Sequence, residues 1–357
     1  MTVIDSDAHV IENEETWDYL EPAEQKYRPV ALPPGPGAPR AWLIDGRLAG
    51  LRQQAQTEGD LARRSQMIGR NLVTPQESRE MHDVRRRLRH MDELGIDVEV
   101  LHNTVFIMPV TDRPPVEIAL CRAWNRWLAG IWRQGGGRLR WSCVPPTLSM
   151  DDALAEIRFG KQHGAVGVLM RPVEGNRTLV DPYFYPIYEE AVRQDMPVVV
   201  HIANGNQWLC DLFSSHYEAG SAVSRFRGPT VIACHQIMMS PLPELFPDLR
   251  WAIVEAGAQW LPWVIGEAKR RHQADGRRWP EEGFNAFKIW VTCQNDNDLE
   301  FIVKHAGEDR LLIGTDYGHT DTSSEVDAIA VLREKSGLQP QIIEKIVNVN
   351  PRAAFGL

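Results

Sequence analysis

Four residues of this chain are of types that bind a divalent cation, and each follows a short apolar run: Asp7 and His9 in VIDSDAHV, His201 in VVVHI and Asp316 in LLIGTD. Residues two apart in a strand face the same way, so Asp7 and His9 can point together as a chelating pair. Carboxylate oxygens mixed with imidazole nitrogens suit zinc, manganese or iron, and leave a coordination place for water or substrate. One divalent cation is therefore expected, zinc before manganese. A single polar residue at a strand end is ordinarily a hydrogen-bonded structural residue. Four of them on predicted strand ends point to a shared centre.

Other residues near predicted strand ends are candidates for substrate contact. Arg171 offers a two-pronged match to a carboxylate, or else pairs with Glu174. His319 and Asp321 in GTDYGHTD touch substrate or hydrogen-bond to a cation ligand. Trp208, Trp260 and Trp263 can wall an aromatic or long apolar substrate, although large aromatics are more often simply core. Asn295, Asp296, Asn297 and Asp298 read as caps of the helix that follows them.

The elements that must position these residues are short β-branched runs alternating with amphipathic helical stretches. Eight strands are predicted: Val3–Asp7, Val98–Asn103, Leu139–Val144, Val166–Met170, Val198–Ile202, Arg250–Glu255, Lys288–Cys293 and Leu311–Asp316. Near-continuous apolar runs such as VVVHI belong to parallel strands buried on both faces. Eight such units in succession predict an α/β fold, a closed (β/α)8 TIM barrel, occupying residues 1–357 as one domain. An open doubly wound sheet is the weaker alternative, and no GxGxxG follows the first strand. Residues 30–80 read as an insertion after that strand, a lid or an oligomer contact. Within it, LPPGPGAPR can be neither helix nor central strand, and Asp45-Gly46 signals a two-residue hairpin. A helix is predicted over Met81–Leu94, and a closing helix pair in GLQPQIIEKIVNVNPRAAFGL.

The formal charge of −9 argues against a nucleic-acid surface, which needs clustered Lys and Arg. The run Arg85, Arg86, Arg87 and Arg89 reads instead as a solvated helix face. No apolar stretch is long enough to cross a bilayer, and the first ten residues lack a basic start and an apolar signal segment. Five cysteines without CxxC spacing suggest neither a disulfide framework nor a thiolate zinc site, so a reducing cytoplasm is expected.

The stretches IDSDAHVIE, DPYFYPIYEEAVRQDMPVVVHI, LFPDLRWAIVEAGAQWLP, DRLLIGTDYGH and NVNPRAAFGL run from end to end of the chain and resemble the amidohydrolase superfamily. The likeness is to its branch of aminocarboxymuconate-semialdehyde, γ-resorcylate and 5-carboxyvanillate decarboxylases. It implies that Asp7 and His9 take the two places of the family's H-x-H or E-x-H pair, His201 the third ligand position and Asp316 the last. Asp at position 7 departs from that pattern. A larger departure is Glu255 in IVEAGA, where decarboxylases of this branch carry a catalytic His. The acid or base is then Glu255, the nearby His235, or a water with Asp316, and a His235–Glu255 pair is preferred. The resemblance implies a small-molecule carboxylic acid substrate and a homodimer or higher homo-oligomer.

Two reactions compete. One is non-oxidative decarboxylation of an aromatic or unsaturated acid. The other is hydrolysis or hydration of an ester, lactone, amide or C–C bond, in which Asp316 takes a proton from a water activated beside the cation. A catalytically inactive metal-bearing binding protein is the alternative of another class.

Overall fold

Eight parallel strands follow one another around a single sheet in the computed structural model, in chain order: β1 (Ile4–His9), β2 (Val98–His102), β3 (Leu139–Cys143), β4 (Ala165–Met170), β5 (Val198–His201), β6 (Trp251–Val254), β7 (Ile289–Cys293) and β8 (Leu311–Ile313). The structure describes residues 2–32, 41–51, 57–214 and 223–357. β8 returns to β1 through a parallel bridge between Ala8 and Tyr317, with Asp316 N donating to the Asp7 carbonyl at 2.8 Å and His9 N to the Tyr317 carbonyl at 3.0 Å. The expected (β/α)8 barrel is therefore present. Its seam is close-packed: a Cβ on Gly314 would lie 2.1 Å from the Asp7 Cβ, so only glycine fits there.

Alternation along the strands divides the core. Ile4, Val100, Val166, Val199, Ala252, Val254, Trp290 and Leu312 pack with Phe355 of the last helix as one buried cluster, while a larger apolar cluster lies between the strands and the surrounding helices. On β5, His201 stands two residues beyond Val199 and so shares its face. Packing below and polarity at the carboxyl ends is the division of labour expected of a β/α barrel.

All eight predicted strands form, with ends that shift by a few residues. β6 stops at Val254 and β8 at Ile313, so Glu255 and Asp316 lie just beyond their strands. Both take a left-handed backbone, φ +65° and +50°, which costs a non-glycine residue about 1 kcal/mol or more. Such strain concentrates at functional sites.

The segment between β1 and β2 holds short 3₁₀ turns, a three-stranded antiparallel sheet and the helices Glu58–Ile68, Gln76–Arg79 and Val84–Leu94. The Asp45-Gly46 hairpin is as predicted: Ile44 pairs with Arg47, and both turn residues have positive φ, +49° and +77°. Most of LPPGPGAPR, residues 33–40, lies outside the described residues. The helix predicted from Met81 starts instead at Val84, because Met81 has φ +57° and Asp83 caps the first turn by accepting from Arg86 N. The closing helix pair is found as Pro340–Glu344 and Asn350–Phe355. Of the four predicted caps only Asp298 caps the next helix, accepting from Phe301 N; Asp296 pairs with Arg70. The arginine run is not a wholly solvated face, since Arg87 is fully buried against Glu99. All five cysteines are free and buried. Among the described residues no helix is long and apolar enough to cross a membrane.

Candidate metal centre

The carboxyl ends of β1, β5, β6 and β8 bring Asp7, His9, His201, Glu255 and Asp316 to one buried spot. One ligand atom from each of Asp7, His9, His201 and Glu255 lies within 4.8 Å of the others, and a second set of His9, Glu255, Asp316 and His319 does the same. His201 Nε2 stands 3.2 Å from His9 Nε2, 3.5 Å from Asp7 Oδ1 and 3.1 Å from Glu255 Oε2. His9 Nε2 is 3.5 Å from Asp7 Oδ1, 3.6 Å from Glu255 Oε2 and 3.4 Å from Asp316 Oδ1. Most of these separations are too long for good hydrogen bonds.

The far side of each imidazole explains why. His9 Nδ1 is 3.0 Å from the Asn103 carbonyl and His201 Nδ1 is 3.1 Å from the Ile202 carbonyl, so each Nδ1 donates its proton there. That tautomer leaves a lone pair on each Nε2, and the two lone pairs face one another. Asp7 Oδ1 and Glu255 Oε2 are buried without a hydrogen-bond partner among the described residues, and Asp316 Oδ1 has His319 Nδ1 beside it at 2.8 Å. Two imidazole lone pairs and three carboxylate oxygens converging on one point form a donor set that a divalent cation completes. Both four-residue sets share His9 Nε2, whose single lone pair serves one ion. The residues fit one divalent cation.

Charge within the cluster is uneven. Burial raises Glu255, aided by the negative charge of Asp316, and raises Asp316 to about 7. His319 has burial against its charge, yet Asp316 lifts it to about 9. Its ring stacks on His9 with centroids 3.7 Å apart. His319 Nδ1 is 2.8 Å from Asp316 Oδ1, and Nε2 is 2.9 Å from Thr104 Oγ1, whose own proton goes to the Val10 carbonyl at 3.0 Å. Nε2 must therefore donate to Thr104, and the contact between Nδ1 and Asp316 holds one further proton. Ser324 Oγ donates to Asp316 Oδ2 at 2.6 Å.

The remaining candidates lie elsewhere. His235 is on the helix Gly228–Met239, facing Arg271 and Glu267, which corrects the expectation that it pairs with Glu255. Arg171 takes the Glu174 option, giving Nε and Nη2 to the same carboxylate oxygen. With Trp208 it lines a cavity of about 530 Å³ that also includes Arg47, Glu117, Glu174 and Tyr183, and whose lining contains none of the cluster residues. Trp208 and Trp263 are 67% and 63% exposed, while Trp260 is half-buried and donates to the Ala256 carbonyl. His102, at the end of β2, was not singled out in the sequence, although its strand-end position was legible. It is buried with its ring 5.2 Å from that of His201, and burial brings its pKa down to about 4. Thr104 carries no local signal, because His319 lies 215 residues away in the chain; Ser324 is only eight residues from Asp316, but a lone serine in a loop gives no chemical pattern to read.

The sequence profile of the amidohydrolase family matches residues 4–357. The chain belongs to the amidohydrolase family. Solved structures similar to this amidohydrolase include an amidohydrolase from Mycobacterium avium subsp. paratuberculosis K-10, at 18% identity and TM-score 0.77, covering 100% of this chain and 98% of that one. A 5-carboxyvanillate decarboxylase from Novosphingobium aromaticivorans DSM 12444, solved with manganese and 4-hydroxy-3-methoxy-5-nitrobenzoic acid, is 21% identical with TM-score 0.69, covering 100% and 96%. A 4-oxalomesaconate hydratase from Rhodopseudomonas palustris is 16% identical with TM-score 0.63, covering 99% and 96%. At these identities the likeness establishes the barrel that this amidohydrolase shares with them, and family membership supports an enzyme of the lyase or hydrolase kind.

Proposed function

We propose that this amidohydrolase is a metal-dependent carboxy-lyase that removes carbon dioxide, without oxidation, from an aromatic or unsaturated carboxylic acid. Asp7, His9, His201 and Asp316 hold one divalent cation, zinc or manganese, with Glu255 as a further donor. When bound, that ion supplies Lewis-acid polarisation to the substrate carboxylate and a neighbouring oxygen.

The observation that carries the reading is the 2.8 Å contact between His319 Nδ1 and Asp316 Oδ1, which needs one proton. Decarboxylation of an aromatic or alkenyl acid needs a proton on the carbon that bears the carboxylate before the C–C bond breaks. Asp316 is placed to give it, and His319 to replace it, with Thr104 fixing the ring. Electrons of the breaking bond return to the ring or alkene, and carbon dioxide leaves. His235, remote from this cluster, has no part in the step. The likeness to 5-carboxyvanillate decarboxylases supports the choice of reaction.

Hydrolysis or hydration is the second reading, favoured by Glu255. A third buried carboxylate among the donors can accept a proton from an attacking water, and a hydratase shares the fold. Zinc- or manganese-loaded protein assayed against carboxylated phenols for carbon dioxide, and against esters and lactones for acid release, separates the two. Carbon dioxide release is expected; acid release without it would reverse the order. A metal-replete protein that turns over neither class would favour a binding protein.

A further inference from the structure

The helix Val84–Leu94 lies in the segment between β1 and β2, and it sends a guanidinium into the wall of the barrel beside the cluster. Arg87 is fully buried. Its Nε donates to Glu99 Oε2 at 2.8 Å, and its Nη1 reaches the carbonyls of His9 and Ser78 at 3.3 and 3.4 Å. The guanidinium carbon lies 3.5 Å from the centroid of the Tyr317 ring. His9 is a donor of the cluster, Tyr317 is joined by one peptide bond to Asp316, and the two strands meet where His9 N donates to the Tyr317 carbonyl. Arg87 thus touches both sides of the barrel seam, one from a hydrogen bond and the other from a stacked face.

The acid that balances it continues the same line. Glu99 is opposite Asp5 across β1 and β2. Asp5, also fully buried, accepts from Asp7 N at 3.1 Å, from Thr315 N at 3.0 Å and from Thr315 Oγ1 at 2.5 Å. The backbone of Asp7, of His9 and of Thr315, the residue before Asp316, is therefore held by a buried ionisable side chain. Taking a guanidinium out of water is costly, and an apolar side chain would fill the space at lower cost unless its geometry were needed.

We infer that Arg87 is a positioning residue of the cation site: by gripping the His9 carbonyl and the Tyr317 ring together, it sets the spacing between the β1 donors and Asp316. The inference rests on the metal centre described above. Lysine keeps the charge toward Glu99 but has neither the planar face nor the fork. Groups that orient cation ligands from behind typically alter affinity by about 10–100-fold when replaced.

The test measures zinc and manganese affinity by competition with a chromophoric chelator, alongside apo-protein melting and far-UV circular dichroism. The variants are Arg87→Lys and the double variant Arg87→Met/Glu99→Gln, which leaves no buried orphan acid. Both are expected to keep the native dichroism and to bind the ions about 10–100-fold more weakly. A folded Arg87 variant with wild-type affinity overturns the inference and assigns Arg87 to the ion pair with Glu99 alone. If neither variant folds, Tyr317→Leu decides: weakened affinity supports the inference, and unchanged affinity overturns it. Wild-type protein that binds neither ion overturns the metal centre itself, and this inference with it.

Discussion

Two clusters of buried charge lie at the same end of this barrel, and they differ in whether their partners are present. Around Arg171, the two acids Glu117 and Glu174 are matched within the chain: Glu174 takes the guanidinium, and Glu117 takes Leu148 N at 2.7 Å, with Thr147 Oγ1 between them. Around His9, three carboxylate oxygens and two imidazole nitrogens converge, and among the described residues Asp7 Oδ1 and Glu255 Oε2 find no hydrogen-bond partner. The side chains of both clusters are largely buried. Only the second leaves its acceptors uncompleted, and that shortfall separates a site from a structural ion-pair network.

The comparison breaks most easily at His201. His201→Ala is expected to abolish both retention of the cation and turnover, measured by metal content of the purified protein and by product formation; a metal-replete, active variant would remove the basis for the site. Arg171→Met should act in the opposite manner. It strands two buried acids and is expected to lower unfolding stability by about 3–5 kcal/mol in chemical denaturation, with cation affinity unchanged. Loss of affinity in the folded variant would join the two clusters into one.

A finer test lies in Glu117, which burial pushes up from 4.5 to about 7. A carboxyl whose folded pKa is raised contributes most below its ordinary pKa, and that contribution is lost as the pH rises through about 7. The shift corresponds to about 3 kcal/mol. Glu117→Gln should therefore flatten the fall in melting temperature between about pH 5 and pH 7; an unchanged pH profile would show that another group sets it. The smallest effect is expected at Trp208, 67% exposed at the rim of the cavity. Trp208→Ala should change stability by no more than about 0.5 kcal/mol, and a larger loss would reveal a contact that the exposed ring does not show.

Local pattern determined much of this protein. Eight apolar β-branched runs separated by helical stretches specify parallel strands, because a strand buried on both faces must be apolar on both. Polar residues ending those runs, Asp7, His9, His201 and Asp316, are then placed at one mouth by topology alone. The tertiary structure decided the rest. Glu255 joins the donors because the backbone turns left-handed just past β6, which no neighbouring residue announces. His235, close to Glu255 in sequence, faces an outer helix, and Arg87 leaves a charged helix face for the barrel seam. Each outcome depends on which side chain meets which across strands far apart in the chain. That is a matter of packing between elements, and periodicity within an element carries no record of it.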